Sequence, residues 1–146
     1  MRAAILCPGP SLSSRPPGDW AHADVTIGVN GAAQLGVHWM AAFDVPMVQA
    51  HACHASVGVF SHAAKWDGLK SLPVLWAKRL ILTDTVLMRL PREIQRAGGS
   101  FSKCGALVLA WCLGADVIEL HGDDMSGETY FDGSPCAATS WRQGLS

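Results

Sequence analysis

The sequence predicts a single α/β domain, spanning residues 1–146, with a mostly parallel sheet and helices on both faces. Three observations support this prediction: a length of 146 residues, a composition that is 49% hydrophobic, and a series of short apolar runs that each end at a turn signal. A chain of this length has room for one domain of ordinary size. Charged residues make up only 16% of the chain, fewer than in an average soluble domain, which excludes a disordered protein.

Four apolar runs are predicted to be buried strands, because each stops at Gly, Pro, Asn or Asp and is too short for an ordinary helix. They cover residues 3–7, 25–29, 38–43 and 117–120. Two shorter candidates lie at residues 74–76 and 80–82. Such runs, separated by helical segments, are typical of a parallel sheet.

Helices are predicted between these strands, at residues 31–35, 45–51 and 85–96. A further helix at residues 102–113 has Ser100 or Ser102 as its N-cap and ends at Gly114. Its residues are apolar on nearly every face, which predicts that the helix is buried and that Trp111 belongs to the core.

Composition also limits the partners. Eleven Lys and Arg against twelve Asp and Glu give a net charge of -1, so no overall field attracts the chain to nucleic acid. The sequence predicts no membrane span and no secretory signal, and hence a cytoplasmic protein. The five cysteines are an odd number without a C-x-x-C pair, which favours reduced core thiols over a disulfide framework.

Polar residues follow the predicted strands. Residues 8–11 follow the first strand, Asn30 the second and Asp44 the third, and Asp123 and Asp124 follow the last. In open α/β sheets ligands bind at the carboxyl ends of the strands, so the four turns together favour one ligand site. Taken singly, each turn is better explained by the preference of Asn, Asp and Gly for turns.

The loop after the first strand is neither a G-x-G-x-x-G fingerprint nor a Walker A sequence. Gly9 would let the backbone approach a ligand closely, and Ser11 adds a hydroxyl where main-chain amides could face a phosphate. On this interpretation, Gly9→Val abolishes nucleotide binding and leaves the fold intact.

The motifs, taken in order, resemble the archaeal-type 6-hydroxymethylpterin diphosphokinase-like family. They are P-G-P-S-L at residues 8–12, V-N-G-A at 29–32, M-A-A-F-D at 40–44, G-G-S-F-S at 98–102 and L-G-A-D-V-I-E-L-H-G-D-D-M at 113–125. The same order is similar to the nucleotide-binding part of bacterial lipooligosaccharide sialyltransferases. The resemblance covers about residues 2–133, leaves residues 134–146 as a tail, and implies a Rossmann-like domain.

The resemblance also implies roles for particular residues. Those expected to bind the nucleotide are Gly9, Pro10, Ser11, Asn30, Gly99, Ser100 and Ser102. The last three would form an anion-binding turn at a helix N-terminus. Asp44 and Asp124 are the expected catalytic residues, and Asp44, Asp123 and Asp124 the expected ligands if the reaction uses Mg²⁺.

Three functions remain open at this point. The first is a transferase that moves a pyrophosphoryl or phosphoryl group from a nucleoside triphosphate such as ATP to a small hydroxyl acceptor. The second is a glycosyltransferase that uses a CMP-sugar, although the sialyltransferases need a further lid with a catalytic His that has no match here. The third is a nucleotide-binding or assembly module without enzyme activity. Each is compatible with a homo-oligomer.

Overall fold

Short apolar segments form the six strands of one sheet. The computed structural model describes residues 1–83, 91–93, 102–124 and 129–135. The strands are β1 Arg2–Leu6, β2 Val25–Val29, β3 Val37–Ala41, β4 Ala55–Ser61, β5 Arg79–Leu82 and β6 Val117–His121. Every pair of neighbours is parallel, and the sheet order is β5-β4-β3-β2-β1-β6.

Helices cover both faces of the sheet. They are α1 Val45–His51, α2 Trp66–Leu69 and α3 Ser102–Cys112. Short 3-10 turns occupy Pro10–Ser14, Pro17–Asp19, Asn30–Leu35, Ala52–His54, Ala63–Lys65 and Pro73–Leu75. One core cluster packs Val48 of α1 and Leu69 of α2 against the sheet, and the other packs Ala106 and Leu109 of α3 against the opposite face. The predicted single α/β domain with helices on both faces is therefore confirmed.

Strand order reverses between β1 and β6. From β1 the chain adds strands outward to β5, and it then returns to place β6 on the other side of β1. Leu6 of β1 pairs with Gly28 of β2 and with His121 of β6, so the three strands end at nearly the same level. A reversal of this kind leaves a crevice at the carboxyl end of the sheet, the usual ligand position in open α/β folds.

Helix α3 ends as the sequence predicts, but only one of its faces is buried. Gly114 has a φ of +96°, a left-handed conformation in which glycine has no Cβ penalty. The amides of Gly114 and Ala115 donate to the carbonyls of Trp111 and Ala110 and close the helix. The expectation that Trp111 is a core residue is wrong: its side chain is 51% exposed, because the sheet covers only the opposite side of the helix.

Other local predictions also differ from the structure. Strand β4 was not predicted, and residues 74–76 form no strand: Val74 and Leu75 belong to the 3-10 turn Pro73–Leu75, and Trp76 follows it. Residues 31–35 are likewise in a 3-10 turn, and most of the helix predicted at residues 85–96 lies outside the described residues. Cys7 is a buried thiol as expected, whereas Cys53 and Cys112 are exposed. None of the helices in the described ranges combines the length and apolar character that a membrane crossing requires.

Candidate functional site

The loop after β1 is bonded directly to the loop after β6. The amide of Cys7 donates to the carbonyl of His121 at 2.7 Å, and the amide of Gly9 donates to the carbonyl of Gly122 at 2.9 Å. Asp124 completes the connection, because its Oδ2 accepts from the Ser11 amide at 2.8 Å and its Oδ1 from the Ser11 hydroxyl at 2.5 Å. The structure thus brings Gly9, Ser11 and Asp124 together at the strand-order reversal.

Two glycines allow this close contact. A Cβ on Gly9 would overlap the carbonyl oxygen of Gly122 and the carboxylate of Asp124. Gly122 has a φ of +74°, which other residues rarely adopt, and a Cβ there would overlap the carbonyl oxygen of Cys7. The space beside Gly9 is therefore filled by the chain itself, and the expectation that Gly9→Val leaves the fold intact does not agree with the structure.

The main-chain amides of the loop already have acceptors within the protein. Those of Cys7, Gly9 and Ser11 donate to the β6 loop, and that of Leu12 donates to the Gly9 carbonyl. Pro8 and Pro10 have no amide hydrogen. These amides do not face outward as a phosphate cradle, in contrast to the arrangement that the sequence suggested. The contribution of the loop to a ligand site would come from its shape and from side chains.

Lys103 brings a positive charge to the same place. Its Nζ lies 3.2 Å from Oδ1 of Asp123, and both side chains are partly buried. Burial raises the pKa of the neighbouring Cys7 thiol to about 12; the Asp123 carboxylate adds to the rise and Lys103 opposes it. Lys103 was not singled out from the sequence, although a lysine in the first turn of a helix opposes the helix dipole and needs a partner such as Asp123.

The remaining predicted residues lie at other points along the carboxyl end of the sheet. The Ser102 hydroxyl accepts from the Phe43 amide at 3.0 Å, which ties the start of α3 to the end of β3. Asp44 is exposed and follows the end of β3. Strand β3 is three positions from β6 in the sheet, which at the usual strand spacing separates the two strands by about 14 Å. The structure does not bring Asp44 next to Asp124. Gly99 and Ser100 lie outside the described residues.

Two buried side-chain polar atoms of the described residues lack a hydrogen-bond partner: Oδ1 of Asn30 and Oγ of Ser61. Asn30 directly follows β2 and has a φ of +49°, and Ser61 is the last residue of β4. Both therefore lie at the carboxyl end of the sheet. Buried polar groups are nearly always paired, so these two atoms are exceptions.

The carboxylates of the site do not form a complete metal cage. Within the described ranges, no group of three or more His, Cys, Asp and Glu side chains is placed to hold a metal ion. A Mg²⁺ ion in a nucleotide site usually keeps several waters and binds one or two carboxylates together with phosphate oxygens. Asp123 and Asp124 are the two carboxylates of this loop that such an ion would use, and each already has a protein partner, Lys103 for Asp123 and Ser11 for Asp124.

Comparison of the chain with protein families, curated proteins and solved structures gives no significant match. The geometry of the site and the resemblance of its motifs are therefore the observations that bear on function.

Proposed function

We propose that the chain binds a nucleoside triphosphate across the β1–β6 reversal and transfers a phosphoryl or pyrophosphoryl group to a small hydroxyl acceptor. The observation that supports this proposal most is the meeting of the 8–11 loop, Asp123, Asp124 and Lys103 at this reversal. The triphosphate would lie beside Lys103 and the first turn of α3, where a positive side chain and the helix dipole both favour an anion.

Charge accounting favours a cation in this site. Among the described residues, the carboxylate of Asp123 lies beside Lys103 and that of Asp124 follows it in the same loop. Nη1 of Arg15 lies 3.5 Å from Nδ1 of His121 at the end of β6. The two carboxylates repel a triphosphate placed against them unless a cation lies between. Asp123 and Asp124 would hold Mg²⁺ together with phosphate oxygens, and the ion would neutralise charge that develops during transfer. Because Asp124 is also held by Ser11, its orientation is fixed before the nucleotide binds.

The acceptor would approach from the β3 side. Asp44 is exposed there, and the neighbouring Phe43 amide is tied to Ser102 at the start of α3. At about 14 Å from Asp124, the carboxylate of Asp44 would bind a polar group of the acceptor and orient it, while the attacking hydroxyl lies nearer to the triphosphate. Asp44 and Asp124 thus have separate roles, one toward the acceptor and one toward the donor.

A second candidate function is transfer of a sugar from a CMP-sugar. Each oxygen of Asp124 accepts one hydrogen bond from Ser11, which gives this carboxylate a structural role that a reaction without metal would also use. In that reaction the nucleotide is the leaving group.

Thermal unfolding with ATP, GTP, CTP and CMP, each with Mg²⁺ or EDTA, separates these functions. A triphosphate at 100 times its Kd stabilises the protein by about 2.7 kcal/mol, which for this size raises the Tm by about 5 to 11 °C. We expect this increase for a triphosphate only with Mg²⁺. Stabilisation by CMP in EDTA would favour sugar transfer.

Variants relate the thermal shift to the site. Asp123→Asn should remove most of the Mg²⁺-dependent increase, whereas Asp67→Asn, on an exposed side chain of α2, should keep it. If none of the four nucleotides changes the Tm, the chain does not bind them and the proposed function is wrong.

A further inference from the structure

A segment at residues 129–135 is fixed across the end of β1. Thr129 and Pro135 form an antiparallel bridge, and the Tyr130 amide donates to the Ser134 carbonyl at 2.8 Å. The Phe131 amide donates to the carbonyl of Pro8 at 3.0 Å, and the Phe131 ring packs against the core cluster on the α1 side of the sheet. Neighbouring Asp132 is therefore held at the carboxyl end of the sheet.

Asp132 is a charged acceptor with a fixed orientation. Its Oδ1 accepts from the Ser134 hydroxyl at 2.6 Å and from the Ser134 amide at 3.0 Å. Its Oδ2 accepts from Nε2 of Gln34 at 3.0 Å. These hydrogen bonds lower the pKa of Asp132, and those from Ser134 have the largest effect. The side chain is therefore ionised at neutral pH. One lone pair of Oδ2 remains available for a further donor.

Three polar side chains meet above Gly31, which directly follows Asn30. A Cβ built on Gly31 would lie 3.4 Å from Nε2 of Gln34, 3.8 Å from Nε2 of His51 and 3.9 Å from Oδ2 of Asp132. Burial lowers the pKa of His51, and repulsion from the nearby His54 lowers it further, so the His51 ring is neutral at pH 7. None of the three side chains is a cation there.

We infer that Asp132, Asn30 and the surrounding side chains above Gly31 bind the ribose of the nucleotide through its 2′- and 3′-hydroxyl groups. This inference rests on the proposed function. A carboxylate and the unpartnered amide oxygen of Asn30 need hydrogen-bond donors and repel phosphate. Ribose hydroxyls are such donors, and carboxylates bind them in many nucleotide sites.

The position also fits a ribose. Asn30 follows β2, the strand next to β1, so the cluster lies one to two strand spacings, about 5 to 10 Å, from the β1–β6 reversal. The ribose is the part of a nucleotide joined directly to the phosphates, and it is the first donor-bearing group on that path. The nucleotide would run from Lys103 toward α1.

Calorimetric titration with ribonucleotides and their 2′-deoxy counterparts tests the inference. The probes are ATP, dATP, CTP, dCTP and inorganic tripolyphosphate, all with Mg²⁺. The wild-type protein should bind the preferred ribonucleotide at least tenfold more tightly than its deoxy form. Asp132→Asn should reduce that preference to under twofold without changing tripolyphosphate binding, and the matched Asp67→Asn should keep it.

Gly31→Ala provides a second, steric variant. Its methyl group would make only ordinary contacts with the three side chains, so the fold should be unaffected, but it would occupy the space between them that a ribose hydroxyl needs. We expect both ribo- and deoxynucleotides to bind at least tenfold more weakly and tripolyphosphate to bind as before.

The results separate the two claims. Equal affinity for ribo- and deoxynucleotides in the wild type, or an unchanged preference in Asp132→Asn, would overturn the ribose assignment and leave the proposed function standing. Absence of binding by every probe would overturn both.

Discussion

Asp124 stabilises the candidate site because both of its oxygens accept hydrogen bonds from Ser11. In Asp124→Asn one oxygen is replaced by a donor and the charge is lost. Hydrogen bonds to charged groups contribute about 1.5 to 3 kcal/mol each, so we expect the free energy of unfolding to fall by about 1 to 3 kcal/mol. Urea denaturation measures the change.

Two further variants make this measurement specific. Ser11→Ala should be less destabilising, and the double variant should be non-additive by more than about 0.5 kcal/mol because the two residues share these bonds. Asp67→Asn, whose side chain is 92% exposed, is the control. Additive effects of Ser11→Ala and Asp124→Asn would contradict the contact.

Gly9 and Gly18 form a matched pair of glycines. A Cβ on Gly9 would overlap backbone and carboxylate oxygens of the β6 loop, whereas a Cβ on Gly18 meets nothing within 4 Å. Forcing atoms into filled space costs about 1 to 3 kcal/mol, so Gly9→Ala should destabilise the protein by that amount. Gly18→Ala should be neutral or stabilising by up to about 1 kcal/mol. Equal urea midpoints for the two variants would show that the loops are not in contact.

At the scale of elements, Glu119 ties β6 to the start of β1 and to the segment that precedes β2. Its carboxylate accepts from Nε2 of His22 at 3.1 Å and from Nη1 of Arg2 at 2.6 Å. The hydrogen bond from His22 has the largest effect on the pKa of Glu119, and that from Arg2 the second largest. Together they lower this pKa to about 2 from the usual 4.5. The ionised form is therefore favoured in the folded protein.

The sign of the pH effect follows from the direction of this shift. A lowered carboxylate pKa contributes stability above the unfolded value of 4.5, and the contribution is lost as the pH falls toward about 2. The urea midpoint of the wild type should decrease between pH 4.5 and 2 more steeply than that of Glu119→Gln. Parallel curves for the two proteins over this interval would contradict the assignment.

At the scale of the whole molecule, the sequence predicts the class of fold because class depends on local patterns. Val25–Val29 is buried throughout, and its apolar run between turn residues marks it as a central strand. Strand β4 escaped prediction because Ser56 and Gly58 interrupt its apolar pattern. Gly58 is required there because a Cβ would overlap the carbonyl oxygen of Arg79 in β5, a contact that only the assembled sheet reveals.

The candidate site was only partly predictable for the same reason. Polar residues after the strands indicate the carboxyl end of the sheet, but strand order decides which of them meet. The pairing of β1 with β6 joins Asp124 to Ser11, and the two strands between β6 and β3 separate it from Asp44. The hydrogen bond between Asp132 and Gln34 joins residues 98 positions apart in the chain, so the sequence could not predict it. The residues around Asp132 show only a D-G-S turn pattern.

Nucleotide binding at the carboxyl end of the sheet is the claim on which the proposed function depends, and amide chemical shifts in a ¹⁵N-labelled sample titrated with ATP and Mg²⁺ measure it. We expect the largest changes at Ser11, Gly31, Lys103 and Asp123, with little change at Asp24, Gly36 and Asp116, which lie at the opposite end of the strands. Changes concentrated at that opposite end, or no changes at millimolar nucleotide, would contradict the claim.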